Sequence, residues 1–121
     1  MVTRSLTSAT HNNTSMKTFF CKLIPPRPTF PQDMSPAEAK LMQDHAAYWR
    51  DWMSKGNVVA FGPVWDPAGA YGIGIVQFAD DIAVRSFAAD DPTIKAGAGF
   101  RVEIHPMPRG VITPGPAVSA A

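Results

Sequence analysis

Residues Ser35–Gly62 read SPAEAKLMQDHAAYWRDWMSKGNVVAFG, and this one stretch holds a helix start, a helix, a helix stop and a buried strand. Ser35, Pro36 and Glu38 form an S-x-x-E capping box with proline at the first helical position, where its missing N–H costs nothing. Gly56, just after Lys55, supplies the left-handed residue that closes helices. At about 100° per residue, Ala37, Leu41, Met42, His45, Tyr48, Trp49, Trp52 and Met53 fall within one arc of roughly 160°. Lys40, Gln43, Asp44, Arg50, Asp51 and Ser54 take the other side. The helix is amphipathic and lies on something apolar.

His45 breaks that pattern, because it sits near the centre of the apolar arc, between Leu41 and Trp49. An imidazole there must find a hydrogen-bond partner or carry a desolvation penalty of about 1–3 kcal/mol. Two readings follow. In one, His45 is a core histidine satisfied by a backbone carbonyl; in the other, it is an acid/base residue at the floor of a pocket, tuned by burial.

Working outward, Met16–Ile24 is rich in aromatic and aliphatic residues and stops at Pro25-Pro26, which cannot continue a ladder, so it reads as the first strand. The loop PPRPTFPQDM leads into the helix, and Arg27 is its one cation. After the helix, Asn57–Pro63 reads as the second strand, Asp66–Gly69 as a turn, and Tyr71–Phe78 as the third strand. Gly72 and Gly74 leave one face of that strand bare, so that either a ligand or helix side chains can approach the backbone closely. Asp80 or Asp81 caps a short second helix, Ile82–Ala88, which ends at Asp90-Asp91-Pro92. Phe100–His105 alternates, with Phe100, Val102 and Ile104 on one side, and forms the last strand.

The order strand, helix, strand, strand, helix, strand predicts an α+β fold: a ferredoxin-like βαββαβ sandwich in which both helices cover one face of an antiparallel four-stranded sheet. Strands such as VVAF and GIGIV are apolar at odd and even positions alike, so neither sheet face is polar. The face without helices is then expected to be covered by a second copy of the chain, in a homodimer joined through the sheets.

The chain has 121 residues, a formal net charge of +1 and 17% charged residues, which fits one domain with no basic patch. Nucleic acid and anionic membrane are not expected partners. A single cysteine, Cys21, excludes an intrachain disulfide and is expected to be a small buried strand residue in a reducing, cytoplasmic setting. No apolar run approaches the roughly 20 residues that span a bilayer. Residues 1–15, MVTRSLTSATHNNTS, lack the apolar segment of a secretory signal and read as a disordered leader, with Met16 as the start of order; His11 lies in it and is given no role. The domain is expected over 16–108, with a flexible tail over 109–121.

Chemistry is expected where His45 meets a carboxylate that fixes its tautomer and raises its basicity. The candidates are Asp66, after the second strand, and Asp91, before Pro92; their plain alternatives are a turn former and a helix-ending hydrogen-bonder. Trp49 and Trp65 are core residues by default or the walls of a pocket for a flat apolar ligand. Arg27 is a solvated loop residue or a holder of an anionic substrate group. No His or Cys pair has metal-ligand spacing, and GIGIV lacks the third glycine of a phosphate loop, so neither metal nor cofactor is expected.

The series DHAAYW on a helix, then KGNVVAFGPVWDP, then a short helix ending DDP and a strand ending IHPM, resembles the YciI-like (YCII-related domain) family over about Lys17 to Met107. The resemblance implies ferredoxin-like dimers of the dimeric α+β barrel type, with a histidine and an aspartate acting as a pair at a pocket. Carried across, the histidine is His45 and the acid is Asp66 or Asp91. Many members carry arginine where this chain has Met42, so an anion-binding role there is lost or moved, with Arg27 the nearest substitute. The whole predicts a cofactor-free homodimeric enzyme moving a proton on a small cyclic or aromatic molecule, by elimination, isomerisation or hydrolysis. The competing expectation is a non-catalytic ligand-binding or accessory domain in which His45 is structural.

Overall fold

The long helix begins where its caps place it. Ser35 Oγ accepts from the Glu38 N–H at 3.1 Å, and Glu38 Oε1 accepts from the Ser35 N–H at 2.9 Å, so the capping box is closed in both directions. At the other end Lys55 is the C-cap and Gly56 takes φ 91°, the left-handed region that favours glycine. A computed structural model describes residues 16–114; the leader expected over 1–15 and positions 115–121 of the expected tail lie outside the described residues. Their elements are β1 (Lys17–Ile24), α1 (Pro36–Ser54), β2 (Val58–Val64), β3 (Tyr71–Phe78), α2 (Asp81–Ala89), α3 (Pro92–Lys95) and β4 (Arg101–Pro106).

The four strands form one antiparallel sheet in the order β2-β3-β1-β4, the ferredoxin-like arrangement. Register aligns Cys21 with Gly74 on one side and Ile104 on the other, which puts Phe19, Cys21 and Leu23 on the same face as Gly74, Val76, Phe78, Val102 and Ile104. Both main helices cover that face. Trp49 from α1 and Val84 and Phe87 from α2 join Phe19, Cys21, Val76 and Phe78 in one buried cluster, and a second cluster gathers Leu23, Phe30 and Phe100. Phe87 is the aromatic hub of the first cluster, 4.8 Å from Trp49, 5.0 Å from Phe78 and 5.6 Å from Trp52 by ring centroids.

Two details depart from the sequence expectation. The second strand, expected over Asn57–Pro63, runs one residue past the proline to Val64, which the sheet tolerates because β2 is an edge strand and needs no donor on its outer side. The second helix does not simply end at Asp91-Pro92: Asp91 instead caps α3, an extra turn, with its side chain accepting from the Thr93 N–H. An aspartate followed by proline is a helix start as well as a helix stop, and here Asp90 closes one helix and Asp91 opens the next.

The bare face is used by a helix side chain at Gly74, while Gly72 meets only Leu23 and the Gly62 carbonyl of its own sheet and lines the cavity described below. A Cβ at Gly74 would overlap the six-membered ring of Trp49, so the indole rests directly on the β3 backbone. Around a Cβ at Gly62 on β2 there is nothing within 4 Å. Gly74→Ala should therefore cost about 1–3 kcal/mol by overpacking, whereas Gly62→Ala should stay within about 0.5 kcal/mol of wild type. Urea unfolding of the two variants checks the contrast.

Candidate active site

Asp91 is 3% exposed, and a carboxylate so placed must be fully hydrogen-bonded. It accepts four hydrogen bonds, two per oxygen. Oδ1 takes the Thr93 N–H at 2.9 Å and the Thr93 hydroxyl at 2.8 Å, both supplied by the first turn of α3. Oδ2 takes the Trp49 indole N–H at 2.7 Å and stands 2.8 Å from His45 Nδ1. The spacing of His45 and Trp49, four residues apart on α1, puts both nitrogens on one side of the helix and within reach of a single oxygen.

Burial opposes ionisation of Asp91 and is the largest influence on it. The His45 hydrogen bond and charge, the Trp49 N–H and the Thr93 N–H together outweigh burial and hold the carboxyl below its usual range. An ionised carboxylate only accepts, so in the neutral ring Nδ1 carries the proton and Nε2 keeps its lone pair. Among the described residues Nε2 has no hydrogen-bond partner, and the His45 side chain is 12% exposed.

His45, Trp49 and Asp91 line a cavity of about 540 Å³ between α1, the sheet and the proline-rich loop. Its walls are mostly apolar: Leu23, Phe30, Met34, Met42, Phe61 and Val102 are among them. Cys21 lies at its floor, where burial pushes the thiol up to about 12, so it stays protonated and is no nucleophile at neutral pH. Among the described residues no three His, Cys, Asp or Glu side chains gather as metal ligands would.

The structure sorts the residues singled out in the sequence. It brings His45 and Asp91 together and leaves Asp66 apart: the Asp66 side chain accepts from the Ala68 N–H at 2.9 Å and its carbonyl from Gly69, which makes it the turn former. Trp49 is 6% exposed and serves Asp91 as a donor as well as lining the cavity. Trp65 is 69% exposed at the cavity rim. Arg27 is not among the lining residues and its guanidinium is committed, to Asp33 at 2.9 Å and to both oxygens of Glu38 at 2.7 and 2.8 Å. Those bonds hold Glu38 down to about 2 and fasten the loop 25–34, whose Phe30 and Pro31 form one cavity wall. The anion-holding role considered for Arg27 is thus taken by two carboxylates of the chain itself.

Sequence reading missed two residues here. Thr93 was legible in principle, since Asp-Pro-Thr places a hydroxyl and an N–H two residues after a capping aspartate. Arg50 is exposed, as its place on the solvent side of α1 implies, and it also lines the cavity. It is the first polar position beyond the apolar arc, about 60° past Met53, and an arginine stem is long enough to reach back.

A profile of the YCII-related domain family matches residues 18–108. Similar solved structures include an uncharacterised protein from Thermotoga maritima, at 8% identity and TM-score 0.48, covering 76% of this chain and 98% of that one. A protein of unknown function from Nitrosomonas europaea is 13% identical at TM-score 0.47, covering 84% and 98%. An unknown protein from Galdieria sulphuraria is 13% identical at TM-score 0.46, covering 82% of this chain and 48% of that one. No curated protein matches the chain.

Because the folded state depresses the Asp91 carboxyl, its contribution to stability is complete above the ordinary carboxylate range and drains away as pH falls through the lowered value. Asp91→Asn, which leaves buried donors without their acceptor, should cost about 1–3 kcal/mol at neutral pH. The gap between variant and wild type should narrow as the solution is acidified, and urea unfolding at a series of pH values reads it.

Proposed function

The chain belongs to the YCII-related domain family, and from that membership and the geometry above we propose that it is a cofactor-free acid/base enzyme in which His45 moves a proton on a small cyclic or aromatic molecule. One observation carries the reading: His45 Nδ1 stands 2.8 Å from a buried, fully hydrogen-bonded Asp91, while the same ring borders a cavity of about 540 Å³. That volume lies in the range of small-molecule sites.

In this mechanism Asp91 holds the ring in the tautomer that presents the Nε2 lone pair. Nε2 accepts a proton from a substrate carbon or from a water, and the imidazolium so formed is stabilised by the carboxylate behind it. The proton then returns to another substrate atom, completing an isomerisation, or goes to a leaving group in an elimination or hydrolysis. Trp49 and Thr93 are positioning residues. By saturating the remaining lone pairs of Asp91 they leave it no freedom to turn away from the ring. The largely apolar walls exclude water and favour the flat, weakly polar body of such a substrate.

The proposed enzyme is a cytoplasmic homodimer. Support for the pairing comes from the sheet face that carries no helix, where Phe20, Ile24, Ile73 and Ile75 alternate with the buried row of β1 and β3. Ile75→Glu should leave a folded monomer where wild type runs as a dimer in light scattering, and a monomeric wild type removes this part of the reading.

A screen of lactones, cyclic ketones and aromatic acids in heavy water, read by proton NMR, tests the chemistry. Solvent deuterium should enter at one substrate carbon, or a product should appear. His45→Gln should lower that rate by about 10²–10⁴-fold with the fold intact by circular dichroism. Binding by wild type without any exchange or turnover across the panel leaves a ligand-binding domain, with His45 as a structural residue.

A further inference from the structure

Three charged or chargeable groups matter in the cavity: His45, Asp91 and Arg50. The charge of Asp91 is answered by its four hydrogen bonds. Arg50 has no such answer. The acids near it on α1 are engaged elsewhere, Asp44 with Lys40 at 2.7 Å and Asp51 with Lys55 at 3.3 Å. Asp33 and Glu38 are held by Arg27, and Asp81 by Arg85. Among the described residues Arg50 makes no ion pair and no side-chain hydrogen bond, although it borders a cavity that is otherwise almost wholly apolar.

Its place on the helix is equally specific. Met42, Ala46 and Arg50 form an i, i+4, i+8 row along α1, parallel to the row His45, Trp49, Met53, and all six line the cavity. Ala46 is the small residue between the two long ones, so the row has a gap at its centre, beside His45, with the exposed Arg50 at its outer end, one side chain's reach from the cavity. A molecule lying in that gap against the methionines has the imidazole at its side and a cation at its end.

We propose that Arg50 is a specificity residue that selects a carboxylate-bearing substrate, an organic acid with an apolar body, over its uncharged analogues. A guanidinium is a planar fork that matches a carboxylate with two parallel hydrogen bonds. A phosphate monoester carries up to two charges, and the lining offers no second arginine or lysine for it. The inference rests on reading the cavity as a substrate site, and it concerns recognition, not the proton transfer itself.

The test is direct binding, by calorimetry and by the fluorescence of Trp49 and Trp65, using two matched pairs: phenylacetate with phenylacetamide, and cinnamate with cinnamamide. In wild type each acid should bind at least about tenfold more tightly than its amide, the worth of one charge-assisted pair. Arg50→Gln should bring the acids down to the affinity of the amides while leaving the amides unchanged, and Arg50→Lys should keep part of the preference. A preference that survives in Arg50→Gln overturns the proposal, as does the failure of both acids to bind at millimolar concentration. Arg50-dependent binding without any proton transfer refutes the catalytic reading alone; turnover with no preference for acids refutes this inference alone.

Discussion

The indole of Trp49 lying on the bare backbone of Gly74 is the contact on which the rest of the structure depends. It sets the distance between the long helix and the sheet, because a larger residue at position 74 would overlap the ring. At that distance the opposite edge of the same indole, its N–H, meets Asp91, and His45 one turn earlier meets the same oxygen. Core packing and site geometry are therefore one arrangement. The precision with which a carboxylate is held against an imidazole comes from a close-packed interior that has few alternative positions.

Much of the fold was legible because local signals and the global pattern agree. The capping box at Ser35, the glycine stop at 56 and the proline stop at 25 and 26 each mark an element boundary by a backbone requirement, and backbone requirements act over a few residues. The extra turn at Pro92–Lys95 was missed because Asp-Pro signals an end and a beginning with the same residues. Here both occur, Asp90 closing one helix and Asp91, held by the Thr93 N–H and hydroxyl, opening the next.

The candidate site was legible only in part, for a related reason. A histidine in the middle of an apolar arc announces a paired, buried imidazole whatever the partner. Choosing between Asp66 and Asp91 required knowing which loop folds over the helix, and sequence separation contains no such information. Arg27 looked available because it was the sole cation of a loop, yet two acids of the same neighbourhood absorb it. Arg50 is solvent-exposed as the periodicity says, yet it also borders the cavity, because helical periodicity places Cα atoms whereas a guanidinium operates at the end of a long flexible stem.

Glu38 has two roles at once: it completes the cap of the long helix through Ser35 and it grips Arg27, which ties down the loop carrying Phe30 and Pro31 into the cavity wall. The first turn of the helix and the outline of the cavity are thereby coupled through one carboxylate some distance along the chain from His45 and Asp91. Such a layout separates two kinds of change that descent can try independently. Lengthening, shortening or re-anchoring the loop alters what fits, while the chemistry at its base is inherited untouched, and a small fold can in this way diversify its substrates without reinventing its reaction.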